Sequence, residues 1–340
     1  DYYASRGLGD VYKRQVINAG ETENKGIDLT INSTNITNKN FTWNTSITLS
    51  HNKNSVKKLT GEDVQLWEAN FGYSQNTHII GVNQPLGQMY GYVTDGLYQV
   101  SDFDYDAATK TYTLKDGVPY AGEKGNVKPG MWKFKNIDGS KDNKITEADK
   151  TVIGNAYPKI YGGINNTFTY KDFDLSIFLT YSIGNDVFNA TKLTNTKTAL
   201  QNKNVLAVAD SKHRWVLVNK AGDLITDPQE MADINKGKTV AAIYDNEAGD
   251  TYIHSWAVED GSFLKLSNIT LGYTFPKKMI RKVGLSKLRL YATGSNLLTW
   301  TKYSGFDPEV STMGNGLTPG VDFGAYPRSR SFVFGINLAF

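Results

Sequence analysis

The segment best equipped for chemistry is Asp138-Gly-Ser140-Lys-Asp142-Asn143-Lys144-Ile145-Thr146-Glu-Ala-Asp149, which sets side-chain oxygens at positions 1, 3, 5, 9 and 12 of a loop. Calcium takes about 6–8 hard oxygen ligands around a tight turn. This spacing supplies Asp138, Ser140, Asp142, Thr146 and Asp149 through side chains and Lys144 through its carbonyl, with Ile145 as the apolar anchor. The sixth position turns left-handed and normally holds glycine; Asn143 is the next best tolerated residue there. Ser140 is a weaker ligand than aspartate and Asp149 is shorter than the usual glutamate. The alternative is an Asp/Asn/Ser turn that folds without metal.

Other chemistries find little support. The chain has 340 residues and no cysteine, which excludes disulfides, thiolate metal sites and a cysteine nucleophile. His51, His78, His213 and His254 are scattered without paired spacing. Lys+Arg is 37 and Asp+Glu is 34, a net charge of +3 that gives no reason to expect a nucleic-acid partner. No Ser-His-Asp arrangement or paired-acid motif stands out, so an enzyme is not expected. Trp67, Phe71 and Trp256 lie in polar stretches, where an aromatic ring offers a stacking platform for sugars.

These groups must be positioned by strands. Mean hydropathy is −0.42 although the chain carries 20 Tyr and 15 Phe. No run approaches the ~18 apolar residues of a membrane helix. Ser331–Phe340 alternates Phe332, Phe334, Ile336, Leu338 and Phe340 against mostly small or polar residues, the period of a strand with one greasy face. About 9–11 residues suffice for a tilted strand to cross a bilayer, so these five side chains are candidates to face lipid. Gly26–Ser33 and Phe41–Ser50 read as a hairpin around Asn38-Lys39-Asn40, and Tyr161–Tyr170 and Asp172–Ser182 as a second around Lys171-Asp172. Phe263–Phe275 and Lys287–Leu297 form a third around the basic turn Pro276–Gly284. Between them lie polar stretches: 53–77, a Pro85-initiated unit with strands at 88–93 and 97–100 and a turn at 94–96, 191–246 with helical patches at 204–210 and 228–234, and 305–330.

Short turns alternating with long loops around strands of about ten residues is the asymmetry of outer-membrane barrels. A soluble sandwich more often uses strands of about 5–6 residues. Tyr273, Phe275, Tyr291, Trp300 and Tyr303 lie near strand ends, where interfacial aromatic girdles form. The triplets at Asn32, Asn35, Asn44 and Asn268 fit the glycosylation pattern, but they sit within or beside strands and read as polar-face residues. Asp1–Gln15 lacks the alternation, and its GLGDVYKRQ stretch resembles a translated sequencing-adapter scar. This predicts a non-native segment 1–15 on a truncated chain, with a native disordered arm as the alternative.

An ordered set of motifs carries a family resemblance. It comprises Gly20-Glu-Thr-Glu-Asn-Lys-Gly26, Pro85-Leu-Gly-Gln-Met-Tyr-Gly-Tyr-Val-Thr-Asp-Gly-Leu-Tyr98, Lys133-Phe-Lys-Asn-Ile-Asp-Gly139, and Val152-Ile-Gly-Asn155 with Pro158. Tyr170–Phe178, Gly184–Phe188, Leu264–Tyr273, Gly294–Thr299, Tyr303–Glu309, Tyr326-Pro327-Arg328 and Phe340 complete it. Over 16–340 the chain resembles the C-terminal barrel portion of SusC/RagA-type TonB-dependent outer-membrane transporters of Bacteroidetes. The resemblance implies an all-β, antiparallel transmembrane barrel of about 22 strands with a plugged lumen, here incomplete, the plug and the TonB-coupling segment lying outside it. It implies import of glycans, or of peptides, with a SusD-like lipoprotein lid and energy supplied through TonB. The competing expectation is a soluble secreted β-protein that binds carbohydrate and calcium.

Overall fold

The computed structural model describes residues 20–70, 74–196, 204–244, 252–312 and 316–340. The suspected scar at 1–15 and the candidate Phe71 lie outside them. Seven strands make one antiparallel sheet: β1 Gly20–Thr37, β2 Phe41–Leu59, β3 Ile160–Tyr170, β4 Phe173–Ile183, β5 Phe263–Thr274, β6 Lys287–Thr301 and β7 Ser331–Ala339. Their spatial order follows their chain order from β1 to β7. Each strand pairs with the next, so the wall is an up-and-down ribbon. Among the described residues β1 and β7 each have one unpaired edge.

The three hairpins predicted from alternation are present: the first has longer arms, the second keeps its bounds to within a residue, and the third extends its second strand to Thr301. Asn38 closes the first turn by accepting the Phe41 N–H through its side chain at 2.9 Å. Lys171 takes the left-handed conformation at the second tip, φ 51°. The third connection folds into a helical turn, Lys277–Ile280 then Arg281–Val283, ended by Gly284 at φ 78°. All three lie at one end of the wall; the excursions 60–159, 184–262 and 302–330 leave from the other.

Close approach explains two glycines. The Tyr291 ring lies over Gly335, where an added Cβ would come within 2.2 Å of it. At Gly162 a Cβ would meet the Thr48 carbonyl at 2.0 Å, and the Tyr181 hydroxyl donates to that carbonyl at 2.9 Å across the gap. Aromatic rings covering strand glycines restore packing that the missing side chain gives up.

The excursions fold rather than wander. The stretch expected as polar loop from 53 to 77 instead continues β2 to Leu59 and adds strands Val64–Asn70 and Ser74–Gly81. The unit expected after Pro85 is rearranged. Gln88–Tyr92 pairs with Lys150–Asn155 and Ser74–Gly81, whereas Thr94–Leu97, which includes the expected turn, pairs with Trp132–Phe134. The partners 150–155 and 132–134 are too far along the chain for local turn signals to reveal. The helical patches reduce to a short 3-10 turn at Ala207–Ala209 and a helix at Pro228–Ile234 capped by Asp227.

The hydrophobic core belongs to these excursions. One cluster joins Tyr92, Trp132, Phe134, Ile145, Trp215 and Met231. A second joins Met89, Phe188, Leu193, Ile253 and Val321, and a third Tyr98, Phe103, Leu114 and Val127. None of their buried members comes from the seven wall strands.

Candidate functional site

The wall is two-faced, and its register shows how. Across one face Ile36, Trp43, Phe168, Leu175, Leu271, Ala292 and Phe334 form a single row through all seven strands. A parallel row runs Ile31, Ile47, Ile164, Leu179, Leu266 and Leu298. The opposite face reads Asn32, Ser46, Asn165, Phe178, Asn268, Ser295 and Ser331. Since residues alternate faces, the period-two pattern of the sequence becomes one apolar and one polar surface. Asn32, Asn44 and Asn268 fall on the polar face, as expected, whereas Asn35 meets Thr45 on the other face.

Phe332, Phe334, Ile336 and Leu338 are 67%, 80%, 63% and 53% exposed on the apolar face, and Phe340 is 91% exposed. They do not pack inside a core. β3 and β4 have 11 residues each. At about 3.3 Å per residue and a tilt of about 40°, such a strand rises about 28 Å, against an apolar band of about 25 Å.

Aromatics gather toward the short turns on this face. Trp43 stacks on Phe168 with centroids 5.7 Å apart, Phe173 meets Tyr273 at 4.6 Å, and Tyr273 meets Phe275 edge-on at 4.9 Å. Trp300 faces out near the loop end, 51% exposed. Two expected girdle residues lie elsewhere. Tyr291, paired with Gly272 and Gly335, is on the polar face. Tyr303 is buried, its hydroxyl donating to Asp322 at 2.5 Å.

The few polar groups on the apolar face satisfy one another. Trp43 Nε1 and Thr45 Oγ1 donate to Asn166 Oδ1 at 3.0 and 2.7 Å, and Asn35 Nδ2 donates to Thr45 Oγ1 at 2.7 Å. Internal satisfaction is what a surface without water requires. The polar face carries Arg289 against Asp174, with contacts of 3.0 and 2.5 Å, and a Thr270–Thr293 hydroxyl pair at 2.9 Å.

The calcium-like loop closes around Asp149, which is fully buried. Its Oδ1 accepts the N–H groups of Ile137 and Asp138 at 2.8 and 3.2 Å, and its Oδ2 that of Thr146 at 2.8 Å. Asp138 accepts from the Ser140 N–H at 2.7 Å, and the Ser140 hydroxyl donates to Asp142 at 2.8 Å. That hydroxyl, with the Lys144 N–H, holds the Asp142 carboxyl below its ordinary value. Asn143 takes φ 57° at the sixth position, and Ile145 anchors the loop in the aromatic cluster. Among the described residues no three acidic or histidine side chains are gathered closely enough to hold a metal ion. Asp149 serves as the loop's internal brace, and Asp138, Ser140 and Asp142 are its exposed oxygens.

The stacking candidates sit in different surroundings. Trp67 is half-buried on strand Val64–Asn70 opposite His78, its indole N–H finding no acceptor among the described residues. Trp256 packs against Trp132 at 4.8 Å, with the Lys192 ammonium over its ring at 4.1 Å.

Ionic tethers that no spacing rule singled out bind loop to wall. Lys265, 4% exposed on β5, meets Glu309 at 2.7 Å, and Arg328 meets Asp307 and Glu309 at 3.0 and 3.3 Å. Burial alone would raise the Glu259 carboxyl, but the Ser304 N–H and the Lys192 ammonium outweigh it and hold it low. Asp307-Pro308-Glu309 and Tyr326-Pro327-Arg328 were visible as motifs; their meeting needed the fold.

A wall of long strands ordered as in the chain, apolar on one side and polar on the other, with short turns at one end and folded loops at the other, defines a transmembrane β-barrel segment. No helix among the described residues is long and apolar enough to cross a membrane. No family model matches the chain. Among curated proteins it is 33% identical over 333 residues to TonB-dependent receptor P3 of Formosa agariphila, covering 96% of this chain and 29% of that protein. It is 28% identical over 327 residues to TonB-dependent receptor SusC of Bacteroides thetaiotaomicron, covering 95% and 27%. The solved RagAB peptide transporter superposes with a TM-score of 0.63 at 22% identity, over 95% of this chain and 30% of that one. Over nearly its whole length the chain is thus similar to one part of TonB-dependent receptors, SusC among them. It spans only about three tenths of the length of the curated relatives it matches.

Proposed function

We propose that the chain forms part of the barrel wall of an outer-membrane importer that is not an enzyme. The observation that carries this reading is the apolar face continuous across seven strands, beside hydrophobic clusters built from the loops. Lipid covers that face and the polar face lines the lumen. The folded excursions, tethered through Lys265, Glu309 and Arg328, form the surface that meets cargo and a SusD-like lipoprotein. Import is energised through TonB. The cargo is a glycan or oligosaccharide, with peptides as the second class, supported by the description of RagAB as a peptide transporter. The test is uptake of labelled oligosaccharides and of labelled peptides by cells carrying the receptor that contains this chain. Uptake of one class that stops when the proton gradient is dissipated supports the reading; receptor-independent or uncoupler-insensitive uptake of both contradicts it.

We also propose that calcium binds the 138–149 loop through the exposed oxygens of Asp138, Ser140 and Asp142, the Lys144 carbonyl and Thr146. Asp149 then either stays a brace or exchanges an amide contact for the ion. Hydrogen exchange of 136–150 should slow with calcium and recover with a chelator. Identical exchange in both conditions removes the metal.

A further inference from the structure

The connection between β5 and β6 is longer than its task. Residues 38–40 and 171–172 suffice for the other two hairpins, whereas this one takes 275–286 and folds them. Ile280, 4% exposed, pins the turn to the sheet end. The Met279 N–H bonds the Pro276 carbonyl at 2.9 Å, and the Gly284 N–H bonds that of Arg281 at 3.2 Å. This built platform presents Lys277, Lys278, Arg281 and Lys282 to the outside, and none of the four makes an ion pair among the described residues. Asp172 in the neighbouring turn joins the end of β5 through its backbone carbonyl, which accepts the Thr274 N–H, and makes no ion pair among the described residues.

Beside the cations stand two apolar side chains four residues apart, Met279 at 61% and Val283 at 70% exposure. A merely solvated turn needs neither. The platform also continues from Phe173, Tyr273 and Phe275, aromatic rings at the level where an apolar band gives way to headgroups. Apolar side chains dipping into that boundary, flanked by cations, is the arrangement that binds an anionic lipid surface.

We infer that residues 277–283 seat on anionic phospholipid headgroups of the leaflet at the short-turn end, with Met279 and Val283 inserted and the four cations on the phosphates. This rests on the membrane reading of the wall. The charge complementarity is one-sided, and a bilayer leaflet is the partner that the adjoining apolar face already implies.

The test is native mass spectrometry, in detergent, of the receptor that contains this chain, titrated with phosphatidylglycerol and, separately, with phosphatidylcholine. The receptor should retain phosphatidylglycerol in preference, and raised salt should weaken that preference. The variant K277Q/K278Q/R281Q/K282Q should lose it by at least about tenfold, and M279S/V283S should weaken retention of both lipids. Removing equal charge in the loops, K110Q/K212Q/K220Q/K236Q, should leave the preference in place. Unchanged preference in the first variant, equal loss in the loop variant, or displacement of the lipid by inorganic phosphate overturns the inference. Retention of neither lipid overturns the membrane reading as well. Should the charge variant fail to fold, a salt-insensitive preference in the unaltered receptor overturns the inference by itself.

Discussion

At the scale of single residues, buried polar groups set the sharpest expectations. His78 is fully buried on strand Ser74–Gly81, with Thr77 Oγ1 at 2.8 Å from one ring nitrogen and the Pro319 carbonyl at 2.9 Å from the other. Burial pushes its pKa from 6.5 to about 4, against the upward pull of that carbonyl. The folded state therefore keeps His78 neutral where the unfolded chain binds a proton. Its contribution is intact above pH about 6.5 and is lost as pH falls toward 4, by up to about 3 kcal/mol. Denaturant unfolding of the loop layer followed from pH 7 to 4 should show that loss, and His78→Gln should flatten it; an unaltered slope in the variant assigns the effect elsewhere. Nothing in the sequence marked His78, because its burial depends on Pro319, far along the chain. Asp149 was legible as the twelfth position of a loop. That its oxygens bind three amides was not, since the spacing fixes which residues meet and leaves open what they bind.

At the scale of elements, strands were legible wherever alternation ran uninterrupted, as in Phe41–Ser50 or 172–182. There two solvents act on two faces, and the period records both. The excursions were less legible because their short strands pair with distant partners and gain stability from clusters such as Tyr92–Phe134–Trp215. Their polar composition reflects an outer surface, and it hid β2's extension past Ser50. The loop tether gives a graded test. Lys265 is nearly buried and Arg328 about half exposed. Removing a buried partner strands the charge left behind, whereas exposed pairs contribute about 0–1 kcal/mol. Lys265→Met should thus open residues 303–311 to hydrogen exchange by a larger factor than Arg328→Ala. The reverse order would mean that the loop is held from its outer side.

At the scale of the whole molecule, the wall is inside out relative to a soluble sheet, with its apolar face outward and its polar face opposite. One adjacent pair of positions separates the two solvents. Ile336→Lys puts a charge on the apolar face and should weaken folding into lipid vesicles by about 2–4 kcal/mol, whereas Asn337→Lys on the other face should change it little. Equal costs would mean that the faces do not differ in solvent. The similarity to TonB-dependent receptors covers nearly all of the chain and about three tenths of those relatives, and the two-faced alternation visible in the sequence is what the register lays out in space.

The most direct measurement places single tryptophans in bilayers of brominated phospholipid, with the other tryptophans replaced by phenylalanine. Trp43 and Trp300 stand on the outward face, whereas Trp215 is buried in the loop core at 2% exposure. Fluorescence of Trp43 and Trp300 should be strongly quenched by the brominated chains, and that of Trp215 should not. Equal quenching of all three, or none at Trp43 and Trp300, would contradict a wall that faces lipid.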